Sequence, residues 1–399
     1  MRFSRNMEKI SMSKTAEVAD LALSLKEKGH KVINMASGEL TFRPASTVRK
    51  KACQTINKGQ TLYTQVAGLN ELRQLLSDKL KKDLEVDYKS DEIIVSNGGK
   101  QVIYNALQST INTGDEVIVV SPYWVSYPEI IKLCGGKPKI LQSKRKDGFS
   151  INTKNLEKLI TSKTKWLILN SPNNPTGTVY SFETLKNLTE LLKKYPEIWV
   201  LSDDIYEKLN FSSKKNVNII NLDKRLKERS LIVNGFSKGY CMTGWRLGYG
   251  AGPKILIEAM KKIQSQSTSA PNTIAQNAAI EALKLDNNYF EEIKTSLIKR
   301  RAVVTSAFSD FQSFSSNFSQ GAFYIFPSIK RFLGKRLNGR DIIVDDTSFC
   351  LHLLSSEYVA VVPGSSFGSK DSIRISYALS EKDLRIGCKR IKRFCKKLV

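Results

Sequence analysis

The 399-residue sequence has few histidines and no closely paired cysteines, and both shortages exclude classes of protein. With only His30 and His352, the chain cannot build a multi-histidine metal centre, and a Ser-His-Asp hydrolase would have to use one of the two. The six cysteines are scattered with no CxxC pair. In a chain of this size that spacing is typical of reduced thiols, and it excludes a disulfide framework or a cysteine zinc site.

Long apolar runs are also missing. No segment reaches the roughly 18 consecutive apolar residues that a membrane-spanning helix needs. The first residues, Met1–Asn6, lack the apolar core of a signal peptide. These two features predict a cytoplasmic protein with no membrane partner.

Acidic residues are scarce relative to basic ones: 38 Asp and Glu stand against 63 Lys and Arg, a net charge of +25. Such an excess is common in proteins that bind nucleic acid or anionic membranes. However, no helix-turn-helix, zinc or RNA-recognition signature accompanies it. The basic C-terminal segment keeps Leu384, Cys388, Ile391, Cys395 and Leu398 on one helical stripe, which predicts an amphipathic helix with solvated charges. We therefore expect no nucleic-acid partner.

Between about residues 90 and 255, short apolar strands alternate with helical patterns. The predicted strands are 92–96, 116–120, 166–170, 199–202, 231–234 and 247–250. Phe182–Lys194 is one of the intervening helical runs, and Ser181 is suited to cap it. Buried strands that alternate with helices predict an α/β fold whose largely parallel sheet is covered on both faces.

The two ends of the chain differ from this core. Residues 1 to about 45 contain a helical pattern and a short strand, Val32–Met35. From about residue 290 onward there are a long helix, a hairpin-like segment near Gly321–Phe326 and the basic terminal helix. Because neither end has a core of its own, we predict that 1–45 and 289–399 form one smaller domain beside a large domain of residues 46–288.

The segment Gly235–Gly248 carries the strongest chemical signal. Lys238 directly follows the small hydroxyl residue Ser237 at a strand end, and Arg246 lies eight residues later. A lysine in an enclosed site can lose its proton and form a Schiff base with an aldehyde. Hydroxyl and guanidinium groups suit a phosphate. A merely basic surface loop would seldom contain Trp, Met, Tyr and several glycines in so short a span.

Other polar groups follow the carboxyl ends of predicted strands, where ligands bind in parallel α/β folds. Ser96–Lys100 leads into a helix whose free N–H groups favour an anion, although a plain turn would look the same. Ser171–Gly177 is a rigid loop or simply a turn. Asp203 and Asp204 end a strand, and Trp124 is either a core residue or a platform for a planar cofactor.

Taken together, these residues resemble class I pyridoxal-phosphate-dependent aminotransferases of the aspartate aminotransferase family, in its bacterial-type branch. The resemblance covers nearly the whole chain. It rests on the segments Tyr63–Gly68, Pro122–Pro128, Gly235–Gly248, Gly321–Tyr324 and Arg374–Ala378. It implies a fold-type I enzyme with a mostly parallel seven-stranded sheet in the large domain and a smaller α+β domain built from both termini. It also implies a homodimer with shared active sites.

The resemblance implies catalytic roles around the cofactor ring. Lys238 would hold the pyridoxal aldehyde as an aldimine and then carry the α-proton as base and acid. Asp203 would pair with the pyridinium nitrogen, and Trp124 would stack on the ring. Tyr206 and Asn174 would donate hydrogen bonds to the ring hydroxyl oxygen.

Phosphate and substrate contacts follow from the same resemblance. Gly99, Lys100, Ser237 and Arg246 would hold the phosphate, with Tyr63 reaching in from the second subunit. The substrate-binding set would be Gly38, Lys100, Trp124, Asn174 and Arg374, with Arg374 holding the α-carboxylate bidentately. No residue is assigned to a metal.

Under this resemblance, two positions indicate which substrate the enzyme uses. Lys100 stands where dicarboxylate-using relatives place a lysine, which favours aspartate or glutamate with oxaloacetate or 2-oxoglutarate in a ping-pong reaction. Relatives that aminate prephenate carry a basic residue near the N-terminus, where this chain has Ser11, so prephenate ranks lower. The alternatives are an aminotransferase for aromatic amino acids, prephenate or diaminopimelate, or a C–S lyase with the same cofactor.

The sequence departs from the family pattern at one place. Relatives usually read Gly-Glu-Pro-Asp-Phe near position 38, whereas this chain reads Gly-Glu-Leu-Thr-Phe-Arg over residues 38–43. Because the resemblance puts this segment at the substrate mouth, we expect an altered gate.

Overall fold

The computed structural model describes residues 7–10, 14–212, 217–311, 314 and 319–399, so Ser11 lies outside the described residues. Its central feature is a seven-stranded sheet with the order β2-β8-β7-β6-β5-β3-β4. The strands, numbered in chain order, are β2 (Ile93–Ser96), β3 (Glu116–Ser121), β4 (Lys137–Gln142), β5 (Thr164–Asn170), β6 (Trp199–Asp203), β7 (Ser230–Gly235) and β8 (Gly248–Ala251), after a short β1 (Ile33–Asn34).

Six strands of the sheet run parallel to one another. The exception is β8, which is antiparallel to both of its neighbours, β2 and β7. The mostly parallel sheet is therefore confirmed. Because β8 is reversed, its amino end lies at the edge where the other six strands end, and the residues just before it join the loops of that edge.

One strand of this sheet was not predicted from the sequence. β4 forms an edge of the sheet, and within it only Leu141 is buried. Its sequence, Lys-Pro-Lys-Ile-Leu-Gln, lacks the apolar run that marked the other strands. The six predicted strands are found, each with bounds within about two residues of the prediction.

Helices cover both faces of the sheet because strand residues alternate between two apolar clusters. Ile93 and Val95 belong to one cluster and Ile94 to the other. Within the described residues the helices are α1 (Lys14–Glu27), α2 (Ser46–Asn57), α3 (Asn70–Leu84), α4 (Gly99–Thr110), α5 (Ser126–Leu133), α6 (Thr153–Glu157), α7 (Phe182–Leu192), α8 (Ile219–Leu222), α9 (Lys254–Ser267), α10 (Thr273–Ala282), α11 (Asn287–Ala307), α12 (Asp346–Glu357) and α13 (Glu381–Lys396). The Ser181 side chain accepts a hydrogen bond from the Thr184 N–H and caps α7, as predicted.

The remaining strands form three small sheets. They are β9 (Tyr324–Ile325), β10 (Arg336–Leu337), β11 (Asp341–Ile342), β12 (Val359–Ala360), β13 (Val362–Pro363) and β14 (Ile373–Ser376). β1 pairs in parallel with β12, β10 pairs with β11, and β14 lies between β13 and β9. The predicted hairpin near Gly321–Phe326 is wrong: β9 pairs with β14, about fifty residues further along the chain.

A second apolar core lies outside the sheet. It joins residues of α11, α12, α13 and β14 to Met35 near the start of the chain. The predicted stripe of the terminal helix, Leu384 to Leu398, is buried in this core. This packing favours the proposed division at residues 45 and 289, which stays a prediction.

Part of the basic excess lies along α11 and α13. A groove of about 1030 Å³ between these helices is lined by seven Lys and Arg side chains and by small residues such as Ala302. Lys392 is ion-paired with Asp310, and Lys397 with the buried Glu357. The charges are therefore partly compensated and otherwise face water.

Candidate active site

Asp203 ends β6 at the carboxyl edge of the sheet, and its side chain is buried with only 5% exposed. The Tyr127 hydroxyl donates a hydrogen bond to Oδ2 at 2.6 Å, and the Ile205 N–H donates to Oδ1 at 3.2 Å. Burial raises the pKa of Asp203 to about 6, although both hydrogen bonds and the Lys238 charge act in the opposite direction. A carboxylate in this setting is stabilised by a cation placed against it.

Lys238 lies in the turn that follows β7. Its Nζ donates a hydrogen bond to the Gly38 carbonyl at 2.6 Å. Burial lowers the pKa of Lys238 to about 8, with Glu39 acting in the opposite direction. A lysine with this pKa has an appreciable neutral fraction near pH 7–8, which is the form that attacks an aldehyde or accepts a proton.

A corner whose donors suit an anion lies between the start of α4 and Arg246, two residues before β8. Gly98 has φ of 91°, and a Cβ atom built on it would lie 2.6 Å from Arg246 Nη2, so only glycine fits there. The first N–H groups of α4, from Gly99 and Lys100, have no partner within the helix. The Arg246 guanidinium donates to the Thr243 carbonyl at 2.8 Å, and Ser237 lies buried in the turn after β7.

Arg374 on β14 is a buried cation, 3% exposed. Its guanidinium donates to Asn174 Oδ1 at 2.9 Å and to the Ala36 carbonyl at 2.6 Å. Its Nε has no hydrogen-bond partner in the described part of the chain. No carboxylate of the described residues lies within 4.0 Å of it, so Arg374 has the donors and the charge for a carboxylate supplied from outside.

Aromatic rings line the space between these charged groups. Tyr324 lies 4.4 Å from the Arg374 guanidinium, and its hydroxyl is 3.0 Å from that of Tyr206. Trp124 packs edge-on against Tyr127 at 5.3 Å, and Lys100 Nζ lies 5.1 Å from the Trp124 ring. The planar indole, the two phenols and the cations form walls suited to a flat, anionic molecule.

The structure thus brings together most of the residues predicted from the sequence. Contacts join Lys238 to Gly38, Arg374 to Asn174, and Lys100 to Trp124. The exception is Tyr63, whose side chain is 91% exposed, so within one chain it does not form a wall of this site.

Three contributors were missed by the sequence reasoning: Tyr127, Tyr324 and the Ala36 carbonyl. Tyr127 and Tyr324 stand inside segments that had been noticed, Pro122–Pro128 and Gly321–Tyr324, so a signal was present without a role. The Ala36 contact is made by a backbone carbonyl, which every residue has, so no sequence pattern could indicate it.

Among the described residues, no group of three or more His, Cys, Asp or Glu side chains could hold an ion. All six cysteines are free, and five of them are buried. No helix in the described ranges has the length and apolar character to cross a membrane.

Comparisons with known proteins identify the family of the chain. The family "Aminotransferase class I and II" matches residues 30–391. A probable aspartate/prephenate aminotransferase from Rhizobium leguminosarum bv. phaseoli is 44% identical, covering 98% of this chain and 97% of its own. The aspartate/prephenate aminotransferase of Cereibacter sphaeroides is 41% identical, covering 98% of each chain.

Solved structures agree equally well. The aspartate aminotransferase from Rhizobium meliloti superposes with a TM-score of 0.96 at 38% identity, covering 100% of both chains. The Thermus thermophilus aspartate aminotransferase with maleate gives 0.91 at 35% identity, covering 99% of this chain and 100% of the other. The predicted family, the fold-type I architecture and the aminotransferase class of enzyme are confirmed. With the half-buried Lys238 and the buried Asp203 and Arg374 around one site, the chain belongs to the class I and II aminotransferase family.

Proposed function

We propose that the protein is a pyridoxal-phosphate-dependent aminotransferase that moves the amino group between L-aspartate or L-glutamate and a 2-oxo acid by a ping-pong mechanism. The observation that carries this proposal is the uncompensated Arg374 guanidinium, buried in the same site as Lys238 and Asp203. This guanidinium can bind a substrate carboxylate in the site that also contains Lys238, an amine whose pKa is lowered by burial.

The residues present fit this cofactor. Asp203, whose pKa is raised by burial, would be stabilised by the ring's protonated nitrogen. The first N–H groups of α4, Ser237 and Arg246 would hold the phosphate, at a corner where Gly98, which has no Cβ, lets the Arg246 guanidinium approach the backbone. Trp124 would cover the ring, and Asn174 and Tyr206 would hydrogen-bond its hydroxyl oxygen. When bound, pyridoxal phosphate supplies an aldehyde that combines with amino groups and a ring that withdraws electrons from the substrate α-carbon.

Each residue then has a task that its own chemistry supports. Lys238, in its neutral form, would take the proton from the substrate α-carbon and then, as the acid, would donate it to the carbon of the cofactor's aldehyde group. Arg374 holds the α-carboxylate with two parallel hydrogen bonds and so fixes the α-carbon beside Lys238. The buried Asp203 carboxylate would keep the nitrogen of the cofactor ring protonated. Lys100, at the mouth, would bind the second carboxylate of the substrate.

The relatives support a dicarboxylate. The Thermus enzyme was solved with maleate, which carries two carboxylates, and the Rhizobium meliloti enzyme is named an aspartate aminotransferase. Prephenate is the second candidate acceptor, because the relative from Rhizobium leguminosarum, at 44% identity, is named for it. Aromatic amino acids, diaminopimelate and C–S lyase chemistry remain outcomes of the same assay.

A panel of donors and acceptors tests this substrate assignment, with Lys100→Ala as the diagnostic variant. Loss of the Lys100 ammonium is expected to lower kcat/KM for aspartate about 10- to 100-fold, the range for a hydrogen bond between charged groups. The value for phenylalanine, which has no second carboxylate, should change little and serves as the control. Equal losses for both donors would contradict the role of Lys100, and a preference for prephenate over 2-oxoglutarate would favour the second candidate.

We also propose a homodimer in which Tyr63 contacts the phosphate in the partner's site. Leu62 and Tyr63 are 82% and 91% exposed, an apolar pair suited to an interface. Tyr63→Ala is expected to weaken cofactor binding about tenfold, since one hydrogen bond to a charged group is lost. Fluorescence titration of the cofactor-free protein measures this, and Phe182→Ala, at another exposed apolar residue, is the control.

Subunit mixing shows whether the site is shared. Sedimentation should first give a dimer. In co-refolded Tyr63→Ala and Lys238→Ala chains, half of the dimers are mixed and each has one intact site, so about a quarter of wild-type activity should return at limiting cofactor. No activity above that of the separate variants would contradict a shared site. A cytoplasmic location and the lack of nucleic-acid and membrane partners stay predictions.

A further inference from the structure

The backbone of the segment Ala36–Phe42 contacts two cations of the site, the buried Arg374 and the half-buried Lys238. The Ala36 carbonyl accepts a hydrogen bond from Arg374 at 2.6 Å, and the Gly38 carbonyl accepts one from Lys238 at 2.6 Å. Among the described residues, Ala36 and Asn174 are the two hydrogen-bond partners of the Arg374 guanidinium. The orientation of Arg374 therefore depends on where this segment lies.

The C-terminal end of the same segment, at Thr41 and Phe42, is held by contacts with Arg300 on α11. Arg300 Nη1 donates to Thr41 Oγ1 at 2.9 Å and to the Ala378 carbonyl at 2.6 Å. Its guanidinium lies 4.5 Å from the centre of the Phe42 ring. The Thr41 hydroxyl itself donates to Ala378 at 2.9 Å. One side chain thus ties residues 41 and 42 to the chain just beyond β14, the strand that carries Arg374.

The contact falls at the point where this sequence departs from the pattern of its relatives. Thr41 stands where the usual Gly-Glu-Pro-Asp-Phe has an aspartate, and Leu40 stands at its proline. A hydroxyl accepts a hydrogen bond from Arg300, but a carboxylate at the same place would add an ion pair and a stronger bond. The interaction between Arg300 and residue 41 is accordingly weaker in this chain than it would be with an aspartate at that position.

We propose that Arg300 is a positioning residue for substrate binding. Through Thr41 and Phe42 it holds the segment of residues 36–42 in place, so that the Ala36 carbonyl keeps the Arg374 guanidinium oriented for the substrate carboxylate. This inference rests on the proposed aminotransferase function. Release of the segment lowers the fraction of molecules with an oriented Arg374, and the apparent affinity falls by that fraction.

The first test measures the segment without using catalysis. In the cofactor-free protein, hydrogen exchange of a peptide that spans residues 36–43 should be about tenfold faster in Arg300→Ala and faster, by a smaller factor, in Thr41→Val. Thr41→Asp should slow it. Lys299→Ala, an exposed neighbour on the same helix, should match the wild type. Unchanged exchange in Arg300→Ala and Thr41→Val would overturn the proposal, whatever the enzyme's reaction.

The second test separates KM from kcat. Arg300→Ala should raise KM for aspartate about tenfold and change kcat by less than about twofold, because Arg374 binds substrate and Lys238 does the chemistry. Thr41→Val should move KM in the same direction, and Thr41→Asp should not raise it. A fall in kcat at unchanged KM would overturn the positioning role. If the wild type shows no transamination, the proposed function fails while the exchange result still decides whether Arg300 fastens the segment.

Discussion

Lys238→Ala is expected to lower kcat/KM for aspartate by at least about 10³-fold, because one side chain provides both the amine that captures the cofactor and the base at the α-carbon. The lysine's pKa of about 8 is set by burial, so no other lysine in the chain is expected to replace it. A coupled assay of oxaloacetate formation measures the loss.

Two further variants make this result specific. Lys238→Arg keeps the charge but has no amine that can react, so it should be as inactive as the alanine variant. Lys262→Ala removes an exposed lysine of α9 and should retain full activity. Near-wild-type transamination by Lys238→Ala would refute the assignment of the catalytic residue.

Asp203→Asn is expected to reduce kcat by about 10²-fold or more while making the cofactor-free protein more stable. The buried carboxylate has a pKa of about 6 against 3.8 unperturbed, so ionising it at neutral pH costs about 3 kcal/mol of folding free energy. Because the folded-state pKa is raised, the stability is fully present below pH 3.8 and is lost as the pH rises through 6. The Asp203→Asn variant does not lose this stability, because the asparagine side chain does not ionise.

Urea unfolding of the cofactor-free protein at pH 5 and pH 7.5 measures the difference. The wild type should lose stability between the two values, and Asp203→Asn should lose less. Tyr127→Phe gives the opposite sign: without the 2.6 Å hydrogen bond the Asp203 pKa rises further and the protein is less stable at pH 7.5. In all three proteins the free energy of unfolding should still fall somewhat with rising pH because of Asp204, whose pKa is raised by burial to about 8. Identical slopes for wild type and Asp203→Asn would contradict the ionisation of Asp203.

The sequence was informative where chemistry is carried by residue type at a strand end. Lys238, Asp203 and Arg374 were all predicted in this way or through the resemblance. In the structure Asp203 ends β6 and Lys238 follows β7 at the carboxyl edge of the large sheet, while Arg374 comes from β14 of a smaller sheet. It failed where only three-dimensional contact assigns a role. Tyr127 reaches Asp203 across 76 positions, and Arg300 reaches Thr41 across 259. No periodicity or motif encodes such pairs.

The errors in the fold have a similar origin. β4 is an edge strand whose side chains are mostly polar or half-exposed, so the apolar run that identifies a buried strand was missing. The segment near Gly321–Phe326 was predicted to be a hairpin because local pairing is the commoner case, yet its strand β9 pairs with β14. In both cases the long-range pairing determined the structure, and the local pattern did not.

The pairing of β1 with β12 has a consequence for synthesis on the ribosome. Ile33 and Asn34 bond to Val359 and Ala360, and Met35 packs in a core completed by α13, whose last residue is Lys396. The parallel sheet can form once about residue 251 has emerged, but Ala36 and Gly38 find Arg374 and their surrounding core only when nearly the whole chain is free. A nascent chain therefore carries Lys238 and Asp203 for many seconds before it has a site that could bind an amino acid. Truncation of the last helix should leave an intact sheet and no working enzyme.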